Sequence, residues 1–352
     1  MYLITGGAGF IGSSLAEALL EKGNSVRILD NFSSGKRENL KSRDRALFPS
    51  SKKNGLCPYF LIEGDIRDPD ACRQAVRGAD YVLHHAALAS VPLSVQDPAL
   101  ANDINITGTL NMLVAARDAG VKRFVFASST AVYGDNVSAG DVPDHAAAGF
   151  SLRDHENVSP VTETMKPAPL SPYAVSKLAG EEYCRIFHRL YGLETVALRY
   201  FNVFGPKQDP ASEYAAVVPK FIECLLSGKS PVIYGDGEQS RDFIYIDDVV
   251  QANLLACAAQ PAATGKTFNI AGGRRVTINA LLNELKAILH TNLTPVYNEE
   301  RQGDIRHSWA DISLARKLLG FEPACSFRDA LSQTIAWYQK KRGQATFSAG
   351  KL

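Results

Sequence analysis

The sequence carries almost no net charge. Its 38 lysines and arginines stand against 37 aspartates and glutamates, a formal +1 in 352 residues. No excess of one sign draws the chain to nucleic acid or to an anionic membrane, and neither partner is expected. No apolar run reaches the length that spans a bilayer. No leader pattern is read at the start, because Met1 runs straight into an apolar stretch and a glycine loop. The six cysteines, Cys57, Cys72, Cys184, Cys224, Cys257 and Cys325, include no Cys-x-x-Cys pair. That excludes a disulfide framework and a cysteine zinc site, so no metal is expected. They read as reduced thiols, mostly buried or partly buried, which predicts a cytoplasmic protein. Internal repeats and long linkers are lacking too. With 45% apolar and 21% charged residues, disorder of the whole chain is excluded.

What is present is alternation. Short apolar runs at Tyr2–Thr5, Val26–Asp30, Phe60–Glu63, Tyr81–Leu83 and Phe124–Ala127 read as strands. Helical patterns stand between them, at Ser13–Lys22 and over a long stretch, Ala99–Ala119. This predicts an α/β fold, a doubly wound parallel Rossmann sheet with helices on both faces. The second half continues with a helix Pro172–Tyr191, opened by a proline in its first turn, and a strand Thr195–Tyr200. Shorter runs follow at Pro231–Tyr234, Phe243–Ile246 and Thr267–Ala271, among helices near Asp248–Ala259, Asn279–His290 and Phe327–Lys341. They predict a smaller C-terminal α/β lobe. The expected division is a sheet domain over residues 1–200 with returning segments near 231–272, a lobe mainly over 201–342, and a frayed tail over 343–352.

Two segments break the regularity. Lys36–Lys53 has seven basic residues against two acidic ones and reads as a solvated loop. Asp135–Met165 is rich in Gly, Ala, Pro, Asp and His without clear periodicity, a long insertion.

Thr5-Gly6-Gly7-Ala8-Gly9-Phe10-Ile11-Gly12 sets glycines at i, i+3 and i+6, directly after a strand and at the start of a helix. A Cβ at the turn would keep the backbone from a pyrophosphate, and a bulky third residue would push helix from strand. The helix N-terminus that follows offers N–H groups and partial positive charge to phosphates, and Phe10 and Ile11 belong to the expected cofactor set. Asp30 closes the second strand 18 residues after Gly12. A carboxylate there accepts bonds from ribose hydroxyls and repels a 2′-phosphate, so the predicted cofactor is NAD rather than NADP. Asp65 is placed to reach the adenine edge, or is a plain turn aspartate. Asn31 and Ile66, beside these carboxylates, belong to the same expected cofactor set.

Ser171-Pro172-Tyr173-Ala174-Val175-Ser176-Lys177 is the second signal. A helix puts Tyr173 and Lys177 on one face, and an ammonium beside a phenol favours the phenolate. Behind a nucleotide loop, this pair predicts a general base rather than an ordinary surface contact. Upstream, a strand ends in Ser128-Ser129-Thr130. The C-terminal end of a parallel strand is where such folds keep their chemistry. Ser129 is the first candidate to bond the substrate oxygen, Thr130 the second and Ser128 the third.

Together these residues resemble the extended short-chain dehydrogenase/reductase family, the NAD-dependent epimerase/dehydratase type, over nearly the whole chain. Further matching stretches are Gly64-Asp65-Ile66, Leu198–Pro206, Tyr234–Gly237, Ser240-Arg241-Asp242-Phe243 and Arg301-Gln302-Gly303-Asp304. Within it the chain is most similar to the bacterial UDP-N-acetylglucosamine 4-epimerases. The resemblance implies that Asn202 and Arg241 bind a UDP diphosphate, with Arg301 and Asp304 near phosphate and uridine ribose and Tyr234 in the same pocket. A guanidinium fork suits that ligand, since it bonds two oxygens at once. The resemblance also implies that Asn105 and Tyr200 line the cofactor site. It departs at Ala89, where many relatives carry a lysine, and in Asp135–Met165, longer than usual by about 20 residues and consistent with a surface insertion. In the family, the helices corresponding to Ala99–Ala119 and Pro172–Tyr191 make a homodimer interface.

Related 4,6-dehydratases place an Asp-Glu pair after the active hydroxyl, and decarboxylating relatives a Glu. Here Thr130 and Ala131 stand there, and neither transfers that proton. What remains is redox at one carbon, and the resemblance implies a 4-epimerisation, expected of UDP-GlcNAc and UDP-GalNAc with UDP-Glc/UDP-Gal as a weaker activity. Ser308 falls where relatives restricted to UDP-glucose carry a bulky aromatic, so it either opens room at C2 or merely caps a helix. Ser90 is a further expected neighbour of the sugar. A UDP-uronic acid 4-epimerase shares every catalytic residue and stays open, whereas a non-catalytic dinucleotide sensor is disfavoured because both Tyr173 and Lys177 are kept. Asp247 and Asp248 read as helix N-caps, His84 and His85 as packed or hydrogen-bonded residues, and Tyr133 as packing.

Overall fold

The computed structural model describes residues 1–40, 59–137, 159–210, 216–300 and 305–349. Its strands, in chain order, are β1 (Tyr2–Thr5), β2 (Val26–Asp30), β3 (Tyr59–Glu63), β4 (Tyr81–His84), β5 (Arg123–Ser129), β6 (Glu194–Tyr200), β7 (Asn202–Phe204), β8 (Val232–Tyr234), β9 (Ser240–Arg241), β10 (Phe243–Tyr245), β11 (Lys266–Ile270), β12 (Val276–Thr277) and β13 (Val296–Asn298). Seven of them form one sheet in the order β11-β6-β5-β4-β1-β2-β3, and every neighbouring pair is parallel. This is the doubly wound order, with the chain reversing direction across the sheet between β1 and β4.

Period-two alternation explains the layers. Leu3, Leu29, Val82, Phe124 and Phe126 point to one face, packing on Cys72 and Ala75 of the helix Pro69–Val76, on Met112 and Leu113 of Gly108–Asp118, and on Cys184 and Phe187 of Pro172–Tyr191. Ile4, Ile28, Leu83, Val125 and Val196 point to the other, against Leu15 and Leu19 of Phe10–Glu21 and Val249 and Ala256 of Ile246–Ala258. Because both faces are covered, the strands read as nearly unbroken apolar runs. At the far end of β5, Arg123 donates to the carbonyls of Ala256 (2.9 Å) and Ala259 (2.7 Å) and pairs with Glu194. It thereby caps the last turn of Ile246–Ala258.

The later strands pair in twos, β7 with β10, β9 with β12 and β8 with β13. Of the expected returning runs only β11 joins the seven-stranded sheet. A third apolar cluster sits here, built from Phe204, Phe221, Ile233, Phe243, Leu281 and Leu331 among others.

Two helices begin or run differently from their sequence pattern. The first starts at Phe10, inside the glycine loop, rather than at Ser13. The stretch expected as one helix over Ala99–Ala119 runs as Pro98–Asn102, a π turn Asp103–Thr107, and Gly108–Asp118. Gly108 passes over Ile66 so closely that a Cβ would sit 2.5 Å from its side chain. A single wide turn of this kind often marks a functional position. The helix Pro172–Tyr191 keeps its expected limits: Ser171 caps it by accepting from the Ala174 amide (3.1 Å), and Gly192 ends it in the left-handed conformation, φ 72°.

Candidate active site

The sheet's switch of direction opens a crevice beyond the C-terminal ends of β1, β4 and β5. Thr5 closes its floor. Its Oγ1 accepts the amides of His85 and Ala86, both at 3.1 Å, and bonds His84 Nδ1 at 2.8 Å, joining the ends of β1 and β4. Gly6 follows with φ 67°, and a Cβ on it would lie 2.8 Å from the Ala86 nitrogen. A Cβ on Gly12 would lie 2.2 Å from the Gly6 carbonyl oxygen. Gly9 opens the helix with no side chain capping it, so the backbone cradle fits a phosphate, as the glycine spacing predicts.

Asp30 is almost buried, and its two oxygens accept the amides of Ala8 and Phe32, each at 2.8 Å. The carboxylate expected to meet a ribose therefore also clamps the glycine turn from behind. Asn31 donates to Asp65 at 2.8 Å. Arg67, which the sequence reading passed over, bonds Asp65 at 2.8 Å and lies 3.5 Å from Asp103. Its guanidinium holds the Asp65 carboxyl down at about 2. Asn105, in the π turn, is buried; it accepts the Leu88 amide at 2.7 Å and donates to the Leu88 carbonyl and to Ser176 Oγ (2.9 Å).

At the end of β5, Ser129 lies beside the Tyr173 hydroxyl, and its Oγ accepts the Ala131 amide at 3.2 Å. The Thr130 hydroxyl beside it is enclosed without a hydrogen-bond partner among the described residues. Tyr173 is anchored at its backbone, which donates to Ser94 Oγ at 3.1 Å. The structure thus brings Ser129, Thr130, Tyr173 and Lys177 to one strand end.

The electrostatics depart from the expectation that the ammonium pulls the phenol toward neutrality. Lys177 donates to the Ala127 carbonyl at 2.8 Å, and its Nζ stands 5.8 Å from the Tyr173 ring centre. Burial raises the Tyr173 phenol above its ordinary range, opposed by the Ser129 hydrogen bond. Burial also pushes Lys177 down to about 8, opposed by Glu181. In the protein alone, the ammonium is committed to a carbonyl rather than to the phenol.

Tyr200 stands back from the crevice: it is buried, stacks on His85, and its hydroxyl bonds His85 Nε2 (3.1 Å) and Asn253. His84, fully enclosed between Thr5 and Thr109 (3.0 Å), is held well below the usual imidazole range by burial. Both histidines pack and hydrogen-bond, as the lack of ligand spacing suggests. Tyr133 also packs, donating to Asn269 at 2.6 Å, with Arg199 over its ring at 4.6 Å.

Most of the remaining candidates lie in the elements that follow β6. Asn202 begins β7 and Tyr234 ends β8; Arg241 lies in β9 and donates to the Ser240 carbonyl at 2.9 Å. Ser308 is buried, with its amide on the Ser240 carbonyl at 3.0 Å. It caps no helix, since the next one starts at Ser313. Ser90 does cap one, accepting the Leu93 amide at 3.2 Å. Arg301 and Asp304 lie outside the described residues. Asp247 and Asp248 are not N-caps: Tyr245 holds that place, and both aspartates sit in the first turn. Asp248 instead accepts the Ala324 amide at 2.8 Å.

Asp242 went unremarked in the sequence except as part of a matching stretch. It is fully buried, accepting the amides of Gly272 (2.8 Å) and Ala310 (3.2 Å). One carboxylate thus fixes the strand end carrying Arg241 against the segment carrying Ser308. Burial pushes it up to about 7.

No group of three or more His, Cys, Asp or Glu side chains placed to hold a metal occurs among the described residues. None of the described helices is long and apolar enough to cross a membrane.

Residues 2–271 match the family described as the NAD dependent epimerase/dehydratase family. A putative UDP-glucose 4-epimerase of Methanocaldococcus jannaschii is 35% identical over 339 residues, 96% of this chain and 98% of that protein. The solved structure of a UDP-N-acetylglucosamine 4-epimerase from Methanobrevibacter ruminantium, in complex with UDP-N-acetylmuramic acid, is 41% identical with a TM-score of 0.83, covering 97% and 98% of the two chains. The UDP-glucuronic acid 4-epimerase of Bacillus cereus, solved with UDP-glucuronic acid and NAD, is 30% identical with a TM-score of 0.80, covering 96% and 99%.

Proposed function

The chain belongs to the NAD dependent epimerase/dehydratase family, and from that premise we propose that it is a UDP-sugar 4-epimerase interconverting UDP-GlcNAc and UDP-GalNAc, with UDP-Glc and UDP-Gal as further substrates. The observation that carries the reading is the gathering of Ser129, Tyr173 and Lys177 at the end of β5, where Lys177 donates to the Ala127 carbonyl at 2.8 Å and Tyr173 stands one helical turn before it.

The glycine cradle suits a dinucleotide, because the space a Cβ would fill at Gly6 and Gly12 is already backbone. Gly6, Gly9, Phe10, Ile11 and Gly12 would hold the pyrophosphate, Asp30 and Asn31 a ribose, and Asp65 and Ile66 the adenine side. Asn105 holds the Leu88 loop beside them, and Tyr200 supports the site through His85. When bound, NAD supplies the hydride acceptor and a positive ring whose charge favours a neighbouring phenolate.

Tyr173 takes the proton from the sugar 4-hydroxyl and returns it after the 4-keto sugar has turned about its diphosphate linkage. Ser129 hydrogen-bonds the same sugar oxygen, and the unpartnered Thr130 hydroxyl stands ready for a second polar group of the substrate. Lys177 holds the nicotinamide ribose. Asn202 and Arg241, with Tyr234, Arg301 and Asp304, bind the uridine diphosphate, and Ser90 borders the sugar. Support for the acetylated substrates comes from Ser308, a small residue inside the pocket segment that caps nothing, and from the similar UDP-N-acetylglucosamine 4-epimerase.

Exposed Val91 (42%), Val95 (62%) and Val175 (48%) on neighbouring helices support a homodimer built on the face that includes Pro172–Tyr191.

The test is incubation of the purified protein with UDP-GlcNAc and no added NAD, followed by proton NMR of the anomeric signals. UDP-GalNAc is the expected product. Turnover of UDP-glucuronate alone would overturn the substrate assignment. The Tyr173→Phe variant should lose at least about 10²-fold in kcat while still binding UDP; retained activity would overturn the base assignment.

A further inference from the structure

Three consecutive residues at the end of β5 meet three residues of the helix Pro172–Tyr191 that recur every four positions. Ser129 lies beside Tyr173, the Ala127 carbonyl accepts from Lys177, and Ser128 Oγ donates to Glu181 Oε1. Spacing of four puts Tyr173, Lys177 and Glu181 on one face of the helix. Tyr173 and Lys177 act in the proposed 4-epimerase chemistry, whereas Glu181 has no direct part in it.

We propose that Glu181 is the positioning residue of the reactive pair, locking the helix to the strand end and setting a fixed negative charge one turn behind the Lys177 ammonium. The proposal rests on the reading of Tyr173 and Lys177 as that pair.

Glu181 is buried, and Arg199 of β6 holds both its oxygens, Nε to Oε1 at 2.8 Å and Nη2 to Oε2 at 2.6 Å. Such a pair is a poor device for stability alone, because desolvation of two ions offsets most of their attraction. As a fixed charge it does more. The groups facing Lys177 are Tyr173 on its own helix, the Phe126 ring and Ala127 carbonyl from β5, and the two neutral histidines His84 and His85 after β4. Glu181, on the same helix one turn beyond Lys177, opposes the burial that would discharge the ammonium.

The experiment compares Glu181→Gln and Glu181→Asp with the unmodified NAD-loaded enzyme. For Glu181→Gln, kcat at pH 8 should fall about tenfold or more, with KM for the UDP-sugar within about twofold. The alkaline limb of kcat should move acidward by about one pH unit, since the Lys177 proton is no longer favoured. Glu181→Asp, which keeps the charge, should keep the limb. The Lys177 Nζ resonance, assigned through Lys177→Arg and followed by NMR through a pH titration without substrate, should titrate at lower pH in the Gln variant. A folded Glu181→Gln enzyme with an unmoved limb and an unmoved Lys177 titration would overturn the proposal. Should the Gln variant fail to fold, an Asp variant whose limb moves acidward would overturn it, and an unmoved limb would uphold it. Failure of the underlying reading is separately visible, as activity retained in Tyr173→Phe.

Discussion

Gly9 and Gly12 belong to one loop, yet the structure predicts opposite failures for them. A Cβ at Gly12 would sit 2.2 Å from the Gly6 carbonyl oxygen, where real Cβ contacts stop at 3.0 Å, and 2.8 Å from the Gly7 Cα. All the obstructing atoms are backbone, so relief requires the helix Phe10–Glu21 to move off β1 by about 1 Å, an overpacking strain of roughly 3 kcal/mol, the upper end of the usual range. At about 2 °C per kcal/mol for a chain of this size, the Gly12→Ala protein should melt roughly 6 °C lower even without NAD. Its NAD affinity should fall too, because the helix N-terminus that faces the phosphates is displaced. Gly9→Ala differs. Gly9 has φ −75°, ordinary for any residue, and its added Cβ would meet only the Gly6 oxygen at 3.2 Å. Without NAD its melting temperature should match the parent within about 1 °C, while NAD binding weakens because the methyl group intrudes on the phosphate cradle. The assay is thermal melting with and without NAD, together with chromatographic measurement of NAD carried through purification. If Gly12→Ala melted like the parent without NAD, or Gly9→Ala kept full NAD content, the assignment of crowding to Gly12 and of phosphate approach to Gly9 would be refuted.

Two further outcomes test the substrate and assembly readings. Ser308→Tyr should lower kcat/KM for UDP-GlcNAc at least about tenfold more than for UDP-Glc, measured by the same NMR assay; equal losses would count against a gate at C2. Val175→Asp places a charge on the exposed apolar face and should convert a dimer to a monomer in sedimentation experiments, whereas an unchanged sedimentation coefficient would move the interface elsewhere.

How much of this was legible in the sequence depends on distance along the chain. The glycine loop, the Tyr173–Lys177 pair and the β–α alternation are local patterns, and the structure places them as their spacing predicts. Asp248 misled because an aspartate near a helix start suggests a cap, whereas its actual donor, the Ala324 amide, is 76 residues away. Asp242 was equally opaque: its role depends on Gly272 and Ala310, which no spacing connects. Glu181 could be placed on the Tyr–Lys face by counting fours, but its partners Ser128 and Arg199 come from two different strands. The break in the long helix left no trace either, since Asp103–Thr107 keeps a helical pattern and only the approach of Gly108 to Ile66 shows where regular winding gives way. Strands of two or three residues, such as β9 and β12, are too short to show a period at all.

β5 separates two kinds of work along its length. Its first residue, Arg123, secures the helix Ile246–Ala258 and Glu194, and its last, Ser129, meets Tyr173. Six residues of extended chain put these ends about 20 Å apart, well beyond the distance at which substitutions interfere with one another. Fold stability and reaction rate are therefore separate quantities on this strand. Changes around Arg123 alter how long the protein survives, changes around Ser129 alter what it does while it survives, and the free-energy effects of the two sum when combined. The base of the strand is thus the place to adjust endurance without retuning the chemistry.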